Sequence, residues 1–233
     1  MVKHVLKEKS NLGRMYYQKL LSKGIVLDYC SSYDSLYATM LVMLYDQSPF
    51  DTHYFLDIGC SCGSLVKAIK EFSCFDGVVG IDNSKYLIDR GIKSLNLDSS
   101  ELKLADARKL PISDNQVTLL HCKLTLEQIR PDRLPHVLQE MYRVLSPNGL
   151  AFISVSAIQE GQTEELFSSD PLFKTIKTVR WWGEIFVEYG FKRNFKTYME
   201  YLNSKINAKG SDTFYDLYHN KWSVFILTKG DSE

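Results

Sequence analysis

The sequence predicts an α/β fold built on a doubly wound, mostly parallel sheet. From Tyr54 onward, short apolar runs alternate with amphipathic segments in the order strand, helix, strand, helix. That order predicts parallel strands with helices on both faces of the sheet. In the last third, two strand-like stretches follow each other with no convincing helix between them, which predicts an antiparallel strand at the C-terminal edge. The 233 residues, 45% of them hydrophobic, are enough for a substantial core.

Residues 1–50 are predicted to form a helical extension or lid in front of the main domain over residues 51–233. Over residues 35–45, apolar side chains recur at the spacing of one helix face, and Pro49 is expected to end this helix. The stripe consists of Leu36, Met40, Met43 and Leu44.

The main domain divides into short predicted strands and longer predicted helices. Strands are expected at 54–58, 78–81, 102–105, 117–120 and 150–155, and helices at 64–72, 84–92 and 134–145. Crossovers between parallel strands are expected to be right-handed. Further on, a helix is predicted at 182–189, strands at 191–201 and 222–228, and a loop or lid at 203–220.

Charge and composition narrow the classes of partner. Lysine plus arginine and aspartate plus glutamate each number 28, so the chain lacks the basic excess typical of proteins that bind duplex nucleic acid. The polar start lacks the apolar core of a signal peptide, and no apolar run approaches the roughly 20 residues that cross a membrane. The five cysteines are odd in number and irregularly spaced, which favours reduced thiols in the cytoplasm.

The stretch 56–65 reads L-D-I-G-C-S-C-G-S-L and follows the first predicted strand. As a metal site it offers two thiolates, and structural zinc takes four ligands, so no metal is expected. As a redox site its spacing is C-x-C rather than C-x-x-C. As a nicotinamide fingerprint it has serine at positions 61 and 64, where that motif has glycine. A glycine turn that holds no ligand is a further alternative.

The pattern Asp57-x-Gly59-x-x-x-Gly63, after a strand and before a helix, resembles the first motif of class I S-adenosylmethionine-dependent methyltransferases. Ser61 stands where that family usually has its middle glycine. The resemblance implies a Rossmann-like fold, S-adenosylmethionine as the cofactor, and a loop under the methionine part of that cofactor. The cofactor-binding candidates in the loop are Asp57, Gly59, Cys60, Ser61 and Gly63.

Acidic residues end the next two predicted strands. Asp82, followed by Asn83, is placed to accept hydrogen bonds from two ribose hydroxyls, although either residue could instead cap the next helix. Asp106, followed by Ala107, matches the position at which the family binds the adenine amino group. A lone aspartate after a strand is otherwise most often a turn residue.

The fourth strand and its sequel, V-T-L-L-H-C-K-L-T-L-E-Q-I over 117–129, resemble the family's fourth motif. Gln128 replaces a histidine that is common there. The resemblance places Cys122 and Lys123 at the methyl end of the cofactor. Residues 141–155 resemble the helix, turn and fifth strand that close the family's core. The resemblance therefore covers residues 54–156.

Residues 170–191 resemble the D-P-x-H…W-W…F…G-F run of methyltransferases that act on small molecules, with Phe173 in place of the histidine. The predicted function is methyl transfer to an oxygen or nitrogen of a sugar, a lipid precursor or a secondary metabolite. Methylation of protein or RNA and cofactor binding without catalysis are the alternatives.

The substrate-side candidates are Tyr33, in the predicted lid, and Trp181 and Trp182, which could stack on a substrate or bury the edge of the sheet. No catalytic base is assigned. His121, Lys123 and Glu127 lie near the ends of the fourth and fifth strands, and a lone histidine there more often points into the core. The predicted partner is a small-molecule acceptor, nucleic acid is unlikely, and a homo-oligomer is left open.

Overall fold

Seven strands form one sheet in a computed structural model that describes residues 33–45, 50–158, 172–207 and 222–229. The strands are β1 Tyr54–Ile58, β2 Gly77–Asp82, β3 Leu102–Leu104, β4 Val117–Lys123, β5 Leu145–Ser156, β6 Phe191–Arg193 and β7 Trp222–Lys229. The helices are α1 Tyr33–Tyr45, α2 Ser64–Lys70, α3 Lys85–Leu95, α4 Leu134–Val144, α5 Val179–Glu188 and α6 Phe195–Asn207. A 3-10 turn at Leu126–Gln128 follows β4.

The strand order is β3-β2-β1-β4-β5-β7-β6, and the first five of these strands run parallel to one another. The order reverses between β1 and β4, so the helices that follow these two strands pack on opposite faces of the sheet and leave a crevice between them. Such a crevice at the carboxyl ends of the strands is where open parallel sheets bind ligands. The predicted doubly wound sheet is confirmed, and we call this side of the sheet the carboxyl edge.

The predicted antiparallel C-terminal edge is confirmed, but its extent differs from the prediction. Strand β7 pairs antiparallel with both β5 and β6, so β6 is the outermost strand. The prediction of a strand over 191–201 is wrong, because it ends at Arg193 and helix α6 begins at Phe195. Asn194 Oδ1 accepts a bond from the Thr197 amide at 3.0 Å and so caps the helix.

Each face of the sheet carries its own apolar core. Trp182 and Phe186 of α5 pack with side chains of α4 against one face. On the other face, Tyr37 and Leu41 of α1 pack with Phe152 and with residues of α2 and α6. The predicted helix at 35–45 is confirmed, but its predicted apolar stripe is partly wrong, since Met43 is 69% exposed.

Helix α1 runs antiparallel to β4. The Tyr45 hydroxyl donates to Thr118 Oγ1, near the start of β4, at 2.6 Å. The Tyr37 hydroxyl lies 3.0 Å from Nε2 of His121, near the end of β4. The first turn of α1 therefore lies at the carboxyl edge. The division of the chain at residue 50 stays a prediction, and in the described ranges no helix is both long enough and apolar enough to cross a membrane.

The boundary between α4 and β5 falls earlier than predicted. Leu145, predicted as the last helical residue, has φ −67° and ψ 128° and already pairs with Val117. The pairing then slips before Leu150, because the intervening turn, with Asn148 at φ 61°, inserts extra residues into β5.

Candidate functional site

The loop from Gly59 to Gly63, called the glycine loop below, turns sharply at the end of β1. The amides of Gly59 and Cys60 donate to the Ile81 carbonyl at 2.8 and 3.0 Å, which ties the loop to the end of β2. Gly59, Ser61 and Gly63 have φ values of 77°, 55° and 80°. Three left-handed residues in five make a tight turn and leave its backbone close to the carboxyl edge.

Glycine is required at position 59 for a second reason. A Cβ atom there would lie 2.0 Å from Thr125 Oγ1, on the chain that leaves β4. The Thr125 hydroxyl donates to the Lys123 carbonyl at 3.0 Å, which holds it in this place. Leu124, just before it, has a left-handed φ of 53°, which is unusual for a bulky residue. The loops after β1 and β4 are therefore in direct contact.

Asp82 joins the glycine loop to the start of α3. Its Oδ2 accepts from the Ser61 amide at 3.0 Å and its Oδ1 from the Ser84 amide at 2.8 Å. Ser84 is the N-cap of α3, and Asn83 beside it is exposed. A carboxylate has about four lone-pair positions, so two remain for ribose hydroxyls. The capping and binding roles are compatible, and the binding role stays a prediction.

The ionisation of Asp82 predicts how pH acts on cofactor binding. Burial raises its pKa from 3.8 to about 6, against the opposing effect of the backbone amides of Ser84, Ser61 and Asn83. Ribose hydroxyls donate to the charged carboxylate, so affinity for S-adenosylhomocysteine is expected to fall by up to about tenfold per pH unit below about 6. Calorimetric titration across this range checks the slope.

The stability of the unliganded protein is expected to change with pH in the opposite direction to cofactor affinity, because of the same Asp82 carboxyl group. Because the folded pKa of Asp82 lies above its ordinary value, protonation removes the cost of burying a charge, and the folded state gains stability as the pH falls through about 6.

An Asp82→Asn variant, which does not ionise, is the control for the pH dependence of cofactor affinity. If its affinity falls with pH as steeply as that of the wild type, another group is responsible.

Asp106 lies after β3 and is exposed, and Ala107 beside it is half-buried. Both oxygens of Asp106 already accept from the Arg108 guanidinium, the shortest bond being 2.6 Å, and this ion pair lowers the carboxyl pKa. A cleft of about 470 Å³ adjoins the pair and continues to Arg130 and His136. An adenine amino group would have to share the carboxylate with Arg108, so the adenine role stays a prediction.

Asp57 and His121 form a buried ion-pair geometry on neighbouring strands. Asp57 Oδ1 lies 2.7 Å from His121 Nδ1, and the two side chains are 6% and 4% exposed. The expectation that His121 points into the protein interior is confirmed. Asp57 faces His121, so the structure places its carboxylate beside β4 and under α1.

The cysteines of the site have the character of packing residues. Cys60, Cys62 and Cys122 are buried cysteines that are not in disulfides. Burial raises the pKa of both Cys60 and Cys122, which keeps these thiols protonated and unreactive. Lys123, next to Cys122, is half-buried at the end of β4, with its ammonium 5.0 Å from the centre of the Tyr37 ring. Over the described ranges, no three His, Cys, Asp or Glu side chains form a group that could hold a metal ion.

Two residues that shape the site were missed in the sequence. Thr125 lies against Gly59, and the run K-L-T-L contains no pattern that predicts this contact. Gly91 lies in the middle of α3, where a Cβ atom would come within 2.2 Å of the Cys62 carbonyl. A glycine inside an amphipathic helix was an available signal, because it costs helix stability unless the backbone must approach a neighbour.

Replacing Gly91 with alanine tests this close approach. In an exposed helix the change would stabilise the protein by about 1 kcal/mol. Here the methyl group meets a backbone carbonyl of the glycine loop, so we expect a loss of about 1–3 kcal/mol and weaker cofactor binding. Chemical denaturation measures the first effect and calorimetry the second. A more stable Gly91→Ala protein would show that α3 and the loop are not in contact.

The three substrate-side candidates differ in burial and in position. Trp182 is fully buried against Phe186, so it could meet a substrate only by leaving the core. Trp181 is half-buried, with Lys177 5.7 Å from its ring centre. Tyr33 is the first residue of α1, at the carboxyl edge, and its side chain lies outside the described part.

The sequence of the tail is rich in aromatic residues that could form a substrate wall or a partner surface, and the structure describes only part of this set. Tyr201 is buried beneath α6, and Tyr198 packs beside it. Phe214, Tyr215 and Tyr218 lie outside the described residues, as does most of the predicted loop at 203–220. A substrate wall built from this segment stays a prediction.

Comparison with known proteins gives one family model, which describes a methyltransferase domain and matches residues 56–153. The carboxy-S-adenosyl-L-methionine synthase of Wolinella succinogenes is 26% identical over 114 residues, 48% of each chain. The demethylmenaquinone methyltransferase of Lactobacillus johnsonii is 36% identical over 99 residues, 40% of each chain. The matched segment spans about half the length, or less, of these relatives.

A solved structure extends the likeness of fold to most of the chain. Haemonchus contortus phosphoethanolamine N-methyltransferase 2, in complex with S-adenosyl-L-methionine, superposes with a TM-score of 0.57 at 18% identity. The superposition covers 83% of this chain and 52% of the other. At 18% identity, the superposition supports a shared fold and not a shared substrate.

Proposed function

We propose that this protein, whose residues 56–153 match a methyltransferase domain, is a class I S-adenosylmethionine-dependent enzyme that methylates an oxygen or nitrogen of a small molecule. A sugar, a lipid precursor and a secondary metabolite are the acceptor classes. The observation that carries the proposal is the glycine loop, held between Asp82 on one side and Thr125 on the other. Its left-handed backbone lies at the point where the strand order reverses.

The cofactor supplies an activated methyl group on a sulfonium, and the protein supplies position and charge. In this assignment the glycine loop lies under the methionine part, which is bound by Asp57 at the end of β1 and by Gly59, Cys60, Ser61 and Gly63 of the loop. Asp82 and Asn83 hold the ribose. Asp106 and Ala107 meet the adenine. Cys122 and Lys123 line the methyl end through the last residues of β4.

A small-molecule acceptor is supported by the names of the relatives and by charge. Demethylmenaquinone and phosphoethanolamine, named for two of the similar proteins, are small molecules. The zero net charge is weak evidence against a nucleic acid acceptor. The four cysteines in the described residues are not in disulfides, which is consistent with a reducing compartment, so a cytoplasmic location belongs to the same proposal.

Conversion of S-adenosylmethionine to S-adenosylhomocysteine in the presence of an acceptor panel tests the proposal. The panel contains sugars, phospholipid precursors and aromatic metabolites, with an unstructured protein and a transfer RNA as the macromolecular arms. We expect turnover with a small molecule and a product 14 mass units heavier than its acceptor. Turnover with the macromolecules alone would reassign the acceptor class.

A second candidate is a cofactor-binding protein without catalysis, and two positions favour it. Gln128 and Phe173 stand where the resembling enzymes often carry histidines. The Gln128 amide donates to the Leu124 carbonyl at 2.6 Å, so it supports the turn after β4. Saturable binding of S-adenosylmethionine without turnover of any acceptor would select this candidate.

A further inference from the structure

Helix α1 is fastened to the sheet by two buried tyrosines, one at each end of β4. The Tyr45 hydroxyl bonds Thr118 Oγ1 at 2.6 Å and also lies 2.5 Å from His53 Nδ1, on the amino-terminal side. The Tyr37 hydroxyl lies 3.0 Å from His121 Nε2, on the carboxyl edge. The two tyrosines are 3% and 5% exposed, so they form a matched pair that differs in location.

The Tyr37 contact continues into the cofactor site. His121 Nδ1 lies 2.7 Å from Asp57 Oδ1, which gives a chain Asp57–His121–Tyr37 from β1 through β4 to α1. A carboxylate accepts only, so Nδ1 carries a proton. In the neutral ring Nε2 is then the acceptor, and the Tyr37 hydroxyl donates to it. Every link in the chain has a donor and an acceptor.

Both ends of this chain lie beside parts of the molecule for which a function is proposed. Asp57 comes two residues before Gly59, where the glycine loop begins. Tyr37 lies one helical turn after Tyr33, the first residue of α1. The ring of Tyr37 also packs edge-on against His121 and Phe152, with centroid distances of 5.5 and 6.0 Å. Loss of the Tyr37 hydroxyl would leave this ring packing in place but would remove the hydrogen bond that connects α1, through His121, to Asp57 of β1.

We infer that the Asp57–His121–Tyr37 chain is a positioning device that couples the cofactor site to helix α1. His121 and Tyr37 act through Asp57 and the strand that ends in the glycine loop. The inference rests on the proposed function in one respect, that the loop binds S-adenosylmethionine. The contact at Tyr45 serves stability, because its partners lie at the other end of β4.

Tyr37→Phe and Tyr45→Phe test the inference as a matched pair. Each removes one buried hydroxyl that contacts a histidine and keeps the ring, and Tyr45→Phe also removes the bond to Thr118 Oγ1. Both should therefore lower the melting temperature, Tyr45→Phe by at least as much as Tyr37→Phe. Titration with S-adenosylhomocysteine should separate them. We expect the dissociation constant to rise about 5- to 30-fold in Tyr37→Phe, within the usual range for coupling between sites. In Tyr45→Phe it should stay within about twofold of the wild type.

Hydrogen exchange supplies a readout that a merely structural contact would not change. S-adenosylhomocysteine should slow the exchange of α1 amides in the wild type and in Tyr45→Phe, and should not slow it in Tyr37→Phe. His121→Gln, which keeps an acceptor but loses the bond to Asp57, should resemble Tyr37→Phe.

Equal affinities and equal protection of α1 in the two tyrosine variants, with a wild type that binds, would overturn the inference alone. A wild type that binds no S-adenosylhomocysteine would overturn the proposed function, and the inference with it.

Discussion

Replacing Asp82 with alanine is expected to lower the affinity for S-adenosylhomocysteine by at least about 100-fold. In the proposed complex the carboxylate accepts two ribose hydroxyls, and hydrogen bonds to a charged group contribute roughly 1.5–3 kcal/mol each. The same carboxylate holds the Ser61 amide at 3.0 Å, so its removal also frees the middle of the glycine loop. Calorimetric titration measures the loss.

Asp89→Ala is the control for the change at Asp82. Asp89 lies on α3 and is exposed, and it pairs with Lys85 across one helical turn. Such surface pairs contribute little to stability. We expect this variant to bind like the wild type. Comparable affinity in Asp82→Ala and Asp89→Ala would show that Asp82 does not hold the ribose.

The second large effect is expected from Gly59→Ala. The new methyl group would lie 2.0 Å from Thr125 Oγ1, and the backbone φ of 77° is unfavourable for alanine. Steric overlap and left-handed strain each cost about 1–3 kcal/mol, so we expect a loss in the free energy of unfolding of about 3 kcal/mol. Chemical denaturation measures it, and cofactor affinity should fall as the loop shifts.

A second substitution separates the two causes. Thr125→Ala in the Gly59→Ala background removes Oγ1 and Cγ2, the two atoms closest to the new methyl group. It leaves the Cβ atom of residue 125 at 2.9 Å from that group and the left-handed backbone unchanged. We expect this double variant to recover about half of the lost stability relative to the sum of the single changes. Strict additivity of the two substitutions would mean that the loops after β1 and β4 do not touch.

The parallel strands and the acidic strand ends could be predicted from the sequence because their signals are local. A buried parallel strand is a short apolar run bounded by turn residues, as at Tyr54–Ile58. The glycine loop and Asp82 occupy fixed positions relative to such runs. Helix α6 was not predicted because tyrosine, as at Tyr198 and Tyr201, is a residue type common in strands. The spacing of these two tyrosines also fits a helix, and in the structure a helix forms because it lets both pack against the sheet.

The contacts that shape the site could not be predicted, since they join residues far apart in the sequence. Gly59 meets Thr125, Gly91 approaches Cys62, and no periodicity relates the members of these pairs. Likewise, 64 positions separate Asp57 from His121 and 84 separate His121 from Tyr37. Only the register of β1 beside β4, and the antiparallel course of α1, brings the three together.

The central claim is that the glycine loop binds S-adenosylmethionine, and calorimetric titration of the wild-type protein tests it most directly. We predict saturable binding of S-adenosylmethionine and S-adenosylhomocysteine with one site per chain and no binding of NAD. Binding of NAD, or binding of none of the three, would contradict the claim and leave the stretch from Asp57 to Gly63 as a turn that serves the fold alone.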